Sequence, residues 1–368
     1  MIVKKIELRN FRNYKDIKLS LEQGINILYG KNAQGKTNLL EAILYLSTTQ
    51  SHRTNDDLNL IKENEEFFCI KSEVEDMNKK FCIAATISKK GKNLSLYNNP
   101  IKKVSEFIGL INAVIFCPDD LNLFSSSPRI RRRFIDIELS KLSREYIKAL
   151  NCYVKLLKNR NICLKSKKVD LVLIDTITKQ MIDYEILILR ERNKFLKRNV
   201  EIAQNYYKTL SNDEAKLDYK YISNIEYSSD DDILKANLIN AYEKTKERDL
   251  MTFQTNTGIH KDDFVIMLDD HEIGSFGSQG QKRSVIISMK LGIIDMIKEK
   301  INEYPILLLD DVFSELDINR RKKLLELLPD KIQTLITTTE IEEFIEIKKD
   351  INYLEVKNGC VNNIKGGY

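Results

Sequence analysis

INILYGKNAQGKTNLLEAI, Ile25–Ile43, is the stretch that decides the fold. It opens as a short apolar strand and closes as the start of an apolar helix, and between them Gly30–Thr37 satisfies GxxxxGK[ST]. In that strand–loop–helix setting the pattern specifies a P-loop. Glycine lets the backbone come close to a ligand, and a helix N-terminus offers N–H groups to an anion. Gly30, Lys31, Asn32, Ala33, Gln34, Gly35, Lys36 and Thr37 would therefore cradle the phosphates of ATP. The Lys36 ammonium would reach the β and γ groups, and the Thr37 hydroxyl would hold Mg2+.

Such a site needs a further carboxylate, which PILLLDD supplies where a buried strand emerges. Asp310 is the candidate metal partner, and Asp311 is placed to position or activate water. An isolated Asp-Asp pair more often caps a helix; the joint presence of Lys36 and Thr37 favours the catalytic reading. Asp is one methylene shorter than the Glu that many related pockets use, so slow turnover is expected.

Outward from this pocket, IVKKIELRN, DIKLSLE, EFFCIKSEV, KFCIAATIS and NAVIFC read as further strands, giving a mixed sheet. The period then changes. Leu139, Leu142, Tyr146, Leu150, Tyr153 and Leu157, and later Ile182, Ile186, Leu189, Leu196, Val200 and Ala203, recur at steps of three, four or seven residues. These stripes suit two long helices packed as an antiparallel hairpin, with the polar KSKKVD near its turn. Strands resume at KLDYKYI and FVIMLDDHEI, followed by the helix SVIISMKLGIIDMIK, the strand PILLLD, the helix NRRKKLLELL, the strand QTLITTT and a hairpin around KNG. The expected organisation is an α/β head built from 1–125 and 213–368, with a helical arm, 126–212, inserted between its halves.

The 368 residues carry a net charge of +5, unevenly spread. Arg129–Leu210 holds 20 Lys and Arg against 9 Asp and Glu, or +11, and the remainder holds 39 against 45, or −6. A basic middle fits either a solvated helical surface or a polyanion. Six cysteines without a CxxC pair and three dispersed histidines give no zinc pattern. The charged beginning MIVKKIELRNFRNYK lacks the apolar core of a signal peptide, and no apolar run approaches membrane-spanning length. The reading is a cytoplasmic protein with reduced thiols.

SFGSQGQKRS, beginning at Ser275, places a second glycine-rich loop before an apolar helix. Here the chain resembles the ABC ATPases. GSQGQ, with Ser278, Gln279, Gly280 and Gln281, resembles their signature, and SELD, from Ser314 to Asp317, resembles their D-loop. The resemblance implies that two heads sandwich ATP, with Ser278 contacting the γ-phosphate bound to a partner's P-loop. Two features depart from the ABC pattern. ITTTE stands where a switch histidine is usual, so Thr338 or Thr339 could offer only a hydroxyl, and FCPDD shows no Q-loop glutamine.

Over nearly its full length the chain is most similar to the RecF family, bacterial recombination and gap-repair ATPases related to SMC proteins. LRNFRNY, GKNAQGKTNLLEAI, SHRT, FCPDDLNLF with SPRIRRRFID, TGIHKDD, GSQGQKR and LLLDDVFSELD carry that resemblance in order. It implies an ATP-dependent homodimer on gapped or double-stranded DNA that helps RecO and RecR place RecA, with weak hydrolysis resetting the dimer and no membrane partner. Arg53 resembles an SMC-head arginine serving the phosphate region or DNA, and a surface salt bridge fits it equally. Arg131, Arg132 and Arg133 are candidates for phosphate or DNA contact, although three adjacent arginines on a helix cannot all face one partner. His260 is read as polar support within the head. An ABC-transporter ATPase subunit is the alternative; a metabolic kinase would not require GSQGQ and SELD.

Overall fold

The computed structural model describes residues 1–340 and 351–363, and its contacts divide the chain into two units. The first comprises Met1–Asp120, Tyr206–Asn212 and Ile286–Tyr368. The second comprises Leu121–Asn205 and Asp213–Val285, so 213–285 clusters with the inserted helices.

Among the described residues, the first unit contains two six-stranded sheets. One is antiparallel, in the order Tyr14–Ser20, Ile2–Phe11, Phe67–Glu75, Lys80–Ser88, Gly91–Leu96, Asn99–Ile101. Alternate residues are buried along Phe67–Glu75 and Lys80–Ser88, the mark of a sheet with one face on a core. The last two strands form a hairpin absent from the sequence reading. Its turn residues Tyr97 and Asn98 both take positive φ, and its polar edge strands leave only a weak apolar signal.

The other sheet runs Cys360–Asn363, Ile351–Lys357, Ile25–Tyr29, Thr334–Thr338, Ile306–Asp310, Ala113–Phe116. All neighbours but the first pair are parallel. Its inner strands Thr334–Thr338 and Ile306–Asp310 are buried at every position, as a doubly covered parallel sheet requires. The core includes both sheets and the helix Lys36–Thr48; Phe68 meets Phe11 and Tyr45 edge-on at 5.2 and 5.6 Å. Adjacent parallel strands end together, bringing the P-loop after Tyr29 and the carboxylates after Leu309 to one edge, where such sheets bind ligands.

The second unit packs helices with a three-stranded sheet, His271–Glu272, Asp263–Leu268 and Leu217–Ile222. The stripe Leu139–Leu157 proves to be two helices, Pro128–Leu142 and Arg144–Leu164. Ser143 breaks it with an extended backbone, its side chain accepting from the Tyr146 N–H, a cap that a periodicity count does not see. Leu171–Ser211 is the long second stripe. The helix Asp231–Thr252 was not foreseen. Leu234, Leu238 and Tyr242 are buried, but Ile233, Ile239 and Met251 are exposed, so its apolar residues make no single stripe.

TGIHKDD ties these helices together. The buried Glu185 carboxyl accepts from Tyr242 Oη and the Ile259 N–H, both at 3.1 Å, and burial raises its pKa to about 8. His260 bonds Tyr153 Oη at 2.7 Å through Nδ1, and burial lowers its pKa to about 4, so it supports the fold as a neutral ring. Gly258 takes φ +120°, and a Cβ there would meet Glu185 Oε1 at 2.5 Å and both tyrosine hydroxyls at 2.6 Å. Gly258→Ala is therefore expected to destabilise the fold by about 3 kcal/mol, combining backbone strain with overpacking. Urea denaturation measures this, and an unchanged midpoint would contradict it.

Candidate active site

The P-loop backbone is held from behind. Tyr14 Oη donates to the Gly35 carbonyl at 2.9 Å, while Asn13 Nδ2 and the Gly359 N–H donate to the Gln34 carbonyl at 2.8 and 3.2 Å. Gly30, Ala33 and Gly35 take φ of 149°, 64° and 117°. A Cβ on Gly35 would lie 2.7 Å from Asn13 Nδ2 and 2.9 Å from Tyr14 Oη, so this position requires glycine. No side chain caps the helix Lys36–Thr48, which leaves its first turn suited to an anion. The Lys36 ammonium folds over the loop, bonding the Gly30 carbonyl and, at 3.0 Å, the Lys31 carbonyl. Burial lowers its pKa, against the opposing pull of Asp311 and Asp310.

The carboxylates meet this loop through hydroxyls. Asp310, 6% exposed, accepts from Thr37 Oγ1 at 2.7 Å and from Thr337 Oγ1 at 2.8 Å on the same oxygen. Asp311 is exposed, with φ 52°; its N–H donates to Thr337 Oγ1 at 2.9 Å and its carbonyl accepts from Ser314 Oγ at 2.7 Å. Among the described residues no group of three or more His, Cys, Asp or Glu could hold a metal. A hydroxyl beside one carboxylate instead fits Mg2+, which retains waters and draws further oxygens from phosphates.

A buried anchor lies behind the loop. Arg12 donates to both Glu41 oxygens at 2.8 Å, and Ser51 Oγ adds a third bond. Burial pushes the Glu41 pKa up, but these donors bring it below the ordinary value. Arg53, 43% exposed, donates to Asn38 Oδ1 at 3.0 Å and lies 4.0 Å from Glu41, so it stands on the P-loop helix. FRNY and SHRT were visible as motifs; that Arg12, Asn13, Glu41 and Thr337 support the pocket emerges only from the pairing of distant segments. FCPDD begins at the end of the strand Ala113–Phe116, and its Asp120 accepts from the Cys117 N–H at 2.8 Å and pairs with buried Lys290. Its half-buried carboxylate thus pairs with a buried ammonium.

The signature segment belongs to the second unit, where Ser278 and Gln279 are exposed. The Ser278 N–H donates to Gln281 Oε1 at 2.9 Å, and the Gln281 N–H donates to Ser278 Oγ at 3.2 Å. This reciprocal capping box shapes the entrance to Gln279–Ile301, with Gly280 in its first turn. In the D-loop segment Ser314 holds the Asp311 carbonyl, and Asp317 caps Ile318–Leu327 by accepting from the Arg320 N–H at 3.0 Å. The arginine run turns inward. Arg131 grips Asp263 through two bonds of 2.6 and 2.7 Å, Arg132 donates to the Asp262 carbonyl, and burial lowers the Arg133 pKa. Arg131 and Arg132 are thus engaged by Asp263 and Asp262 within the second unit, as expected of a run whose members cannot all face one partner.

The chain matches the model of the RecF/RecN/SMC N terminal domain over residues 2–362. It is 38% identical over 369 aligned residues to the DNA replication and repair protein RecF of Bacillus cereus strain G9842, covering 98% of both chains. The chain belongs to the RecF family. A RecF protein of Bacillus anthracis strain CDC 684 / NRRL 3495 is likewise 38% identical, with 98% of each chain covered. A solved structure of the recombination mediator protein RecF, as RecF-ATP in the RecFOR pathway, matches this RecF-family fold with TM-score 0.91 and 31% identity, covering 99% of this chain and 97% of that one. An SMC head bound to the C-winged helix domain of ScpA shares the fold at TM-score 0.56 and 15% identity, covering 99% and 97%. The head is thus an SMC-like ATPase head of the RecF family, and the transporter alternative is not favoured.

Proposed function

We propose that this chain is an ATP-gated DNA-binding protein of replication-linked recombinational repair. The observation that carries the reading is the joining of Thr37 to Asp310 at 2.7 Å beneath an uncapped P-loop helix. These residues form one half of a nucleotide site. The other half would be a second copy's Ser278, Gln279, Gly280 and Gln281, with Ser314 and Asp317 at the D-loop. ATP then favours the homodimer because it binds the closed state more tightly. Mg2+, held by Thr37, Asp310 and phosphate oxygens, would stabilise charge on the phosphates. Asp311 would orient the attacking water, and slow hydrolysis would open the dimer.

RecF relatives carry the name of replication and repair proteins, and solved members are described within the RecFOR pathway. We extend that role to this chain, with gapped and double-stranded DNA as ligand and with RecO and RecR as partners in placing RecA. The functional division would keep 126–212 as the arm and 1–125 with 213–368 as the ATPase. DNA contact would fall to exposed cations such as Lys165, Lys167 and Lys168 at the arm's turn, with Arg53 at the head. Such phosphate contact is largely sequence-independent and weakens with salt.

Ser278→Arg tests the shared site. The exposed side chain should leave folding intact and ATP binding to the monomer within about threefold, while its bulk and charge block closure by at least about tenfold. ATP titration with sedimentation measures both, and undiminished dimerisation would contradict the trans contact.

A further inference from the structure

We infer that Thr337 is a positioning residue that fixes the water-orienting Asp311 to the metal-facing Asp310, with Ser314 closing the same clamp from the D-loop. Asp311 holds φ 52°, a left-handed conformation that Asp tolerates better than most residues. Both of its flanking peptide groups are held in it by side-chain hydroxyls. The N–H donates to Thr337 Oγ1 at 2.9 Å, and the carbonyl accepts from Ser314 Oγ at 2.7 Å. Thr337 uses its one proton on Asp310 Oδ1 at 2.8 Å, the oxygen that also accepts from Thr37.

The hydroxyl is therefore donor to one aspartate and acceptor from the other, a pairing that valine of the same shape cannot make and serine can. Thr337 is 1% exposed and pairs in register with Asp310 across adjacent parallel strands, so its side chain is fixed by the sheet. Both bonds cross to the carboxylate strand end. The result is a chain of contacts, Thr37 to Asp310 to Thr337 to Asp311 to Ser314. A displacement of the D-loop would reach the Asp311 backbone directly through Ser314. This inference rests on the proposed catalytic role of Asp311 for its functional meaning.

The test compares Thr337→Val with Thr337→Ser. Amide hydrogen exchange of the nucleotide-free protein reads the clamp without any metal or ATP. Valine should speed exchange at the Asp311 amide by about tenfold through loss of its acceptor, and serine should restore protection. With Mg2+ and ATP, valine should lower kcat by about ten- to a hundredfold while KM changes less than threefold, as for a residue acting through a metal's neighbours. Wild-type exchange and kcat in the valine variant, or equal impairment in the valine and serine variants, would overturn the inference. If the wild-type protein failed to hydrolyse ATP, the proposed activity would fall, while the exchange result would still decide whether Thr337 holds Asp311.

Discussion

Lys36→Ala is expected to weaken ATP binding by about a hundred- to a thousandfold. The Lys36 ammonium is held over the loop by the Gly30 carbonyl and, at 3.0 Å, the Lys31 carbonyl, already positioned along the backbone that would cradle phosphate. Charge-assisted bonds contribute about 1.5–3 kcal/mol each, and two such bonds to phosphate oxygens at the low end of that span, about 3–4 kcal/mol together, give a loss of this size. Burial disfavours the charged ammonium, and the nearby Asp310 and Asp311 favour it. Removing the cation therefore leaves two carboxylates facing an anionic ligand. Because nucleotide would drive dimer closure, ATP-dependent dimerisation should disappear as well. Titration with a fluorescent ATP analogue measures the loss, with a melting curve of the nucleotide-free protein as control for folding. An affinity change below threefold would contradict the assignment.

Asp311→Asn should separate binding from turnover. Asparagine keeps the side-chain size, tolerates the left-handed backbone that Asp311 adopts, and leaves the bonds to Thr337 and Ser314 in place. What it loses is a carboxylate able to accept a proton from water, worth about 10²–10⁴ in rate. Phosphate release in a single turnover should therefore slow by at least about a hundredfold. ATP affinity should stay within about threefold, and the dimer should persist for longer. Full hydrolysis by this variant would remove Asp311 from the chemistry.

The P-loop and the carboxylate that faces it were legible because their parts are local. GKNAQGKT is a loop between two apolar segments, and Asp310 closes an uninterrupted buried strand. Their meeting at one sheet edge follows from parallel pairing that sequence alone does not number. Thr337 shows the limit. ITTTE drew attention to Thr338 and Thr339 as hydroxyl donors, yet strand alternation and register aim Thr337 at the aspartates, while Thr338 accepts from the Glu340 N–H and donates to its carbonyl. A shift of one residue exchanges the faces of a strand, and only the pairing partner fixes it.

The arginine run illustrates a second limit. RIRRRF offers candidates for phosphate contact without showing which of them are engaged internally; Asp262 and Asp263, more than a hundred residues away in sequence, take up Arg131 and Arg132. The helix Asp231–Thr252 escaped detection for a simpler reason. Its exposed Ile233, Ile239 and Met251 blur the periodicity that its buried Leu234, Leu238 and Tyr242 would otherwise display.

Sedimentation of Asp311→Asn with Mg2+, with and without ATP, in the presence and absence of a gapped duplex, tests the central claim most directly. The account predicts a monomer without nucleotide, a dimer with ATP, and co-sedimentation of that dimer with DNA that declines as salt rises. A protein that binds ATP but stays monomeric and ignores the gapped duplex at low salt would contradict it.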